Sequence, residues 1–243
     1  MKKIFLIFII IFGLYLPCVV NAEEFKLEWQ NNFGGNDLER FEFVFQTKDN
    51  GFVGIGGTKS TDIEGFPNKG DYDSLAIKFD KDGNIEWKSI YGGSLEDHYN
   101  AFLETSDNNY LIAFYSKSTD IEGYENKGGF DSSVFKFDKD GNIIWKLNLG
   151  GNGNELLYDM IEDDEGNYIG ILSSSSTNIV GIENKGGNDI LVVKFDKNGN
   201  ILKRVSFGGN NDDNPYLIHK TKDDNFIVHG SFSSSDFDGL ELK

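Results

Sequence analysis

The sequence predicts an all-β chain in which a four-stranded antiparallel sheet is repeated end to end. Three observations carry that expectation. The phrase KFDKDGNIEW at 78–87 returns as KFDKDGNIIW at 136–145 and as KFDKNGNIL at 194–202, each time 58 residues on. No insertion or deletion breaks that period. Between the copies, short aromatic and branched runs alternate with Gly-, Asn- and Asp-rich turns, and no run has the i, i+3, i+4 spacing of an amphipathic helix.

In the first unit, 41–46 alternates large apolar with mixed residues, as a strand with two unlike faces does. Lys48-Asp49-Asn50-Gly51 is a turn and 52–58 the returning strand. A loop over 60–72 leads to a third strand at 74–80. Lys81-Asp82-Gly83-Asn84 then reverses the chain into 85–91. Gly83, Gly141 and Gly199 hold the turn position that needs a positive φ, with Asp and Asn beside them.

The other landmarks keep the same register. Tryptophan falls at Trp29, Trp87 and Trp145, with Lys203 in the fourth slot. Glycine pairs follow at 34–35, 92–93, 150–151 and 208–209, and four residues after each pair comes an acid: Glu39, Asp97, Glu155 and Asp213. STDIEG at 60 and 118 becomes STNIVG at 176 and SSDFDG at 234, and NKG stands at 68, 126 and 184. The units are therefore 29–86, 87–144 and 145–202, with a partial unit over 203–243.

A four-stranded sheet of this length cannot bury both faces alone, so the units must stack as the blades of a β-propeller-like array. The partial unit stops before a third strand, so the expected form is an incomplete ring or open arc. Residues 25–33 match a fourth strand that would complete a final blade. Open edge strands are a template for self-association.

The stretch WKSIYGGSLEDH at 87–98, with TSDNNYLI at 105–112 and SKSTD at 116–120, resembles the seven-bladed β-propeller (SBBP-type) repeat of bacterial secreted and surface proteins. The hairpin ending in tryptophan is similar to the blades of pyrroloquinoline-quinone-type propellers. The resemblance covers nearly all of the chain after the leader and implies the fold. It implies no particular activity, because propellers host many.

Lys2 and Lys3, the apolar run 4–16 and Val20-Asn21-Ala22 read as a secretory signal peptide, 1–22, cleaved after Ala22. The run is shorter than the ~20 residues a membrane span needs, so no transmembrane span is expected. A lipoprotein anchored through Cys18 is the rival, weakened by Tyr15-Leu16-Pro17 ahead of it. Cleavage removes the lone cysteine, and with it disulfides and thiol nucleophiles. Loss of two lysines takes the net charge from −17 to −19. Such a surface repels nucleic acid, whose binding rests on Lys and Arg.

Strand alternation places the Gly-Gly connections and the long loops at one end of the array, where function on a rigid scaffold usually sits. The candidate ligand face is Glu39, Asp62, Glu64, Asp73, Asp97, Asp120, Glu122, Asp131 and Asp236. The competing explanation is that such Asp and Ser residues cap turns and satisfy backbone N–H groups. Calcium is approached by GGNGNEL at 150–156, but that motif works by recurring every nine residues, and by DKDGN at 80–84, which lacks the later acidic ligand. No cofactor is expected, calcium being the one metal that these stretches leave open. His98, His219 and His229 occupy unlike positions in their units, and no phosphate loop or hydrolase motif is present. The expectation is a secreted or surface binding module, not an enzyme, whose partner is a protein or glycan. The alternatives are a fragment of an extracellular hydrolase or lyase whose site lies on missing blades, and a structural or truncated product.

Overall fold

The computed structural model describes residues 27–64, 68–223 and 225–236. The leader, Cys18 and the tail after Asp236 lie outside them. The first sheet takes β1 (Glu39–Gln46), β2 (Phe52–Thr58), β3 (Asp73–Phe79) and β4 (Ile85–Tyr91) in that order, all antiparallel. The second takes β5 (Asp97–Glu104), β6 (Tyr110–Ser116), β7 (Asp131–Phe137) and β8 (Ile143–Leu149). The third takes β9 (Glu155–Glu162), β10 (Tyr168–Ser174), β11 (Asp189–Phe195) and β12 (Ile201–Phe207), and β13 (Asp213–Lys220) pairs with β14 (Phe226–Phe232). The described sheets follow one another as an open, propeller-like arc, with no helix and no closed barrel among the described residues.

Strands begin earlier than the hydrophobic pattern alone suggests. β1 starts at Glu39 rather than 41, and β3 at Asp73 rather than 74. Thr58 pairs with Glu39 on one side and Asp73 on the other, so the ladder runs on through two acids that are 6% and 1% exposed.

Stacking on both faces explains the burial. β2 and β10 are buried along their whole length, whereas the outer strands β4 and β12 are largely open. Successive sheets are joined at one end by backbone bonds: the Asp97 N–H donates to Tyr72 O (2.8 Å), Glu155 to Phe130 O (2.6 Å) and Asp213 to Asn188 O (2.6 Å). At the other end Lys48 N–H donates to the Glu104 carboxylate (2.9 Å) and Ser106 N–H to Glu162 (2.6 Å).

Tryptophans fasten the first sheet to the second and the second to the third. The Trp87 indole N–H donates to Lys139 O at 3.1 Å, and its ring lies parallel to Phe137, centroids 6.0 Å apart. It rests on the following turn at Gly141, whose φ is +84° and where a Cβ would come within 2.7 Å of the indole. Trp145 repeats this on Gly199 and Trp29 on Gly83. Asn31 Nδ2 also donates to Gly83 O at 2.9 Å, so the segment around Trp29 sits against the first sheet as a preceding fourth strand would.

Candidate functional site

At the loop end, the Gly-Gly pairs exist because two side chains occupy the space a Cβ would need. At Gly92 a Cβ would lie 2.2 Å from the Asp73 carboxyl, and at Gly93 2.2 Å from Asp120 Oδ1 and 2.6 Å from Ser118 Cβ. The same clash recurs with Asp131 at Gly150, Asp189 at Gly208, Asp236 at Gly209 and Asp62 at Gly35. Each acid then accepts a loop N–H. Asp62 takes that of Asn36 (2.7 Å), Asp120 that of Ser94 (2.9 Å) and Asp236 that of Asn210 (2.8 Å). Asn178 does the same for Asn152 at 2.8 Å, so the position requires an acceptor oxygen rather than a charge.

The remaining predicted residues divide into buried and open. Glu39 accepts from Gly35 N–H (3.0 Å) and the Thr58 hydroxyl (2.8 Å), and Asp97 from Gly93 N–H (2.7 Å) and the Ser118 hydroxyl (3.1 Å). Asp73 accepts from Lys69 N–H (2.9 Å) and Asp131 from Lys127 N–H (2.6 Å). These four are at most 6% exposed. Glu64 and Glu122 are exposed at the loop tips, and the equivalent Val180 is 85% exposed. All nine thus gather at one end, and seven of them hold the loops together through their oxygens.

A different constellation lies along the first strand of each sheet. β1, β5, β9 and β13 are edge strands, and each carries a β-bulge whose extra residue is Glu42, Asn100, Tyr158 or Tyr216. Bulges re-aim a side chain out of the regular pleat. Beside them, the His98 ring lies between Tyr72 (centroids 5.1 Å) and Tyr115 (5.2 Å, 27° between planes), with Phe130 at 6.3 Å. Tyr72 belongs to the preceding sheet and fits because residue 57 is glycine, where a Cβ would meet its ring at 2.2 Å. Arg40 occupies on β1 the place of His98 on β5, and lies 3.6 Å from Glu42. Tyr158 meets Tyr216 at 6.4 Å, and Tyr216 meets His229 at 5.8 Å. Burial raises the Tyr72, Tyr115 and Tyr158 hydroxyls above their usual range, so they stay protonated donors at neutral pH.

Sequence reasoning named His98 only as the residue whose loss would test the enzymatic alternative, and placed no site along this edge. The signal was the repeat itself, read for what changes: positions 40, 98, 156 and 214 are Arg, His, Leu and Asn, and 42, 100, 158 and 216 are Glu, Asn, Tyr and Tyr. Scaffold positions repeat while these vary. Among the described residues no group of three or more His, Cys, Asp or Glu is arranged to hold a metal, and no helix is long and apolar enough to cross a membrane.

A search of curated proteins returned no match. Among solved structures, the chain is similar to a protein of unknown function from Bacteroides caccae, at 14% identity and a TM-score of 0.41. That likeness covers 64% of this chain and 48% of the other, so this chain spans about half the length of that relative. The family model for arylsulfotransferase (ASST) matches residues 31–227, most of the sequence. The chain belongs to the arylsulfotransferase (ASST) family.

Proposed function

We propose that this chain acts outside the cytoplasm on aryl sulfates, and that it binds them along the first-strand edge at Tyr72, His98 and Tyr115. The observation that carries this is the imidazole held between two tyrosine rings from adjacent sheets. A flat aryl group suits stacking against such rings, and the tyrosine hydroxyls can donate to sulfate oxygens. An imidazole nitrogen can serve as the nucleophile in group transfer. In the proposed step a ring nitrogen of His98 forms a bond to sulfur as the S–O(aryl) bond breaks and the phenolate leaves. A second phenol then takes the sulfuryl group from the nitrogen and gives up its proton. Arg40, at the equivalent place on the neighbouring edge, would neutralise part of the sulfate charge. The resemblance to seven-bladed secreted repeats belongs to the same proposal, with this chain supplying consecutive blades around the axis.

The test is release of nitrophenol from 4-nitrophenyl sulfate with phenol as acceptor. Wild-type chain should release it and His98→Ala should lose at least about a hundredfold, the scale of a lost nucleophile or acid–base group. No release by the wild-type chain, or equal rates for the variant, overturns the proposal.

A second reading keeps the secreted binding module, with a protein or glycan partner at the loop end. The exposed tips favour it: Glu64, Glu122 and Val180 share one loop position and leave their side chains open. Replacing all three by alanine should abolish capture of a surface partner without changing the melting temperature, and unchanged capture would remove the tips from consideration.

A further inference from the structure

At every junction between described sheets two buried acids stand together. The third-strand acid of one sheet feels the first-strand acid of the next: Asp131 is hydrogen-bonded to Glu155, while Asp73 and Asp189 sense the charges of Asp97 and Asp213. All six residues are at most 2% exposed. Two of the first-strand acids, Glu155 and Asp213, are well supplied with donors. Glu155 accepts from Gly151 N–H (2.5 Å) and the Ser174 hydroxyl (2.7 Å), and Asp213 from Gly209 N–H (3.0 Å) and the Ser234 hydroxyl (2.6 Å). The third-strand acids are not. Each has one oxygen bonded to a loop N–H, while Oδ1 of Asp73, Asp131 and Asp189 is buried without a hydrogen-bond partner, as is Oδ1 of Asp97.

A buried carboxylate oxygen with no donor, against a second carboxylate, is costly as a bare charge. A proton removes both costs, since a protonated carboxyl donates where an ionised one can only accept. A metal ion fits less well: among the described residues no group of three or more His, Cys, Asp or Glu is arranged to hold one, and calcium needs six or more oxygens. We propose that each sheet junction binds one proton, held on the buried third-strand acid (Asp73, Asp131 or Asp189) and at Asp131 shared with Glu155, so that the stack is firmer in mild acid than in mild alkali.

Titration behaviour agrees with the geometry. Burial, opposed by the Lys69 and Lys127 N–H bonds and assisted by the facing acids, lifts Asp73 to about 6 and Asp131 to about 7. Burial also raises Asp97 and Asp189. The other charges facing these groups are Lys69 and Asp120 at Asp73, Lys127 at Asp131, Lys185 and Asp236 at Asp189, and His98 at Asp97. The three lysines are exposed and screened. A carboxyl raised in the folded state holds a proton that the unfolded chain has released, so stability falls as pH rises through the folded values and levels off above them.

Urea unfolding stepped from about pH 5 to about pH 8.5 tests this directly. Each bound proton should lower the folded-to-unfolded ratio about tenfold per pH unit within its window. Asp131→Asn, whose amide can donate to Glu155 as the protonated acid would, should remove one proton's share of that slope and be the more stable chain at the alkaline end. In the wild type, infrared difference spectra should show a protonated-carboxyl band at the acid end that fades by the alkaline end. Stability that is flat or rising with pH, absence of that band, or stabilisation by calcium that Asp131→Asn abolishes would each overturn the proposal.

Discussion

Replacing Trp87 by alanine removes the fastener between the first and second sheets. The indole is 8% exposed, lies parallel to Phe137 at 6.0 Å, meets Tyr110 at 5.9 Å and donates to Lys139 O. Truncating a large buried aromatic costs about 3–5 kcal/mol, and the orphaned Lys139 carbonyl can turn to water. We expect ~4 kcal/mol for Trp87→Ala. Trp145 is only partly buried and meets Phe195 edge-on at 6.1 Å, so Trp145→Ala should cost about half as much. With a urea slope of about 3 kcal/mol/M, the first change moves the midpoint down by roughly 1.3 M. The assay is a urea melt followed by far-ultraviolet dichroism and by the fluorescence of the remaining tryptophans, compared where the two transitions coincide. A loss below about 1 kcal/mol for Trp87→Ala, or a larger loss for Trp145→Ala, would refute the claim that these rings carry the sheet-to-sheet contact.

Other perturbations probe different parts of the array. Gly93→Ala forces a Cβ against Asp120 and Ser118 and should destabilise by about 1–3 kcal/mol in thermal melts; an unchanged melting temperature would contradict it. Lys136 bonds Asp107 (2.7 Å) and the Tyr168 hydroxyl (2.9 Å). Burial pushes the Asp107 carboxyl up, but Lys136 and Thr105 outweigh it and hold it below the usual range. That contribution is present above about pH 4 and lost as pH falls through the lowered value, so Lys136→Met should weaken the acid limb of the stability curve. On β14, Phe226 and Ile227 are exposed where their counterparts Tyr168 and Ile169 are buried. Self-association through that edge should make sedimentation depend on concentration, and Ile227→Lys should abolish the dependence; a strictly monomeric wild type would exclude it.

The architecture was legible because it rests on local sterics that repeat. Gly83, Gly141 and Gly199 have φ of +85°, +84° and +83°, where turn chemistry in the sequence put them. The long loops and glycine pairs were placed at one end, and the Asn36–Asp62 bond joins them there. What the pattern hid was polar burial. Asp73, Asp97 and Asp131 read as loop acids because charge usually means solvent, yet the ladder and loop N–H groups draw them inside. The His98 stack was hidden for another reason: Tyr72 and Tyr115 come from different sheets, and no spacing along the chain records that meeting.

The most direct test of the proposed site is amide and side-chain NMR of the wild-type chain titrated with 4-nitrophenyl sulfate. Shifts should concentrate at Tyr72, His98 and Tyr115, with Asp62, Asp120 and Asp236 unmoved. Shifts confined to those loop acids, or no saturable shift anywhere, would contradict it.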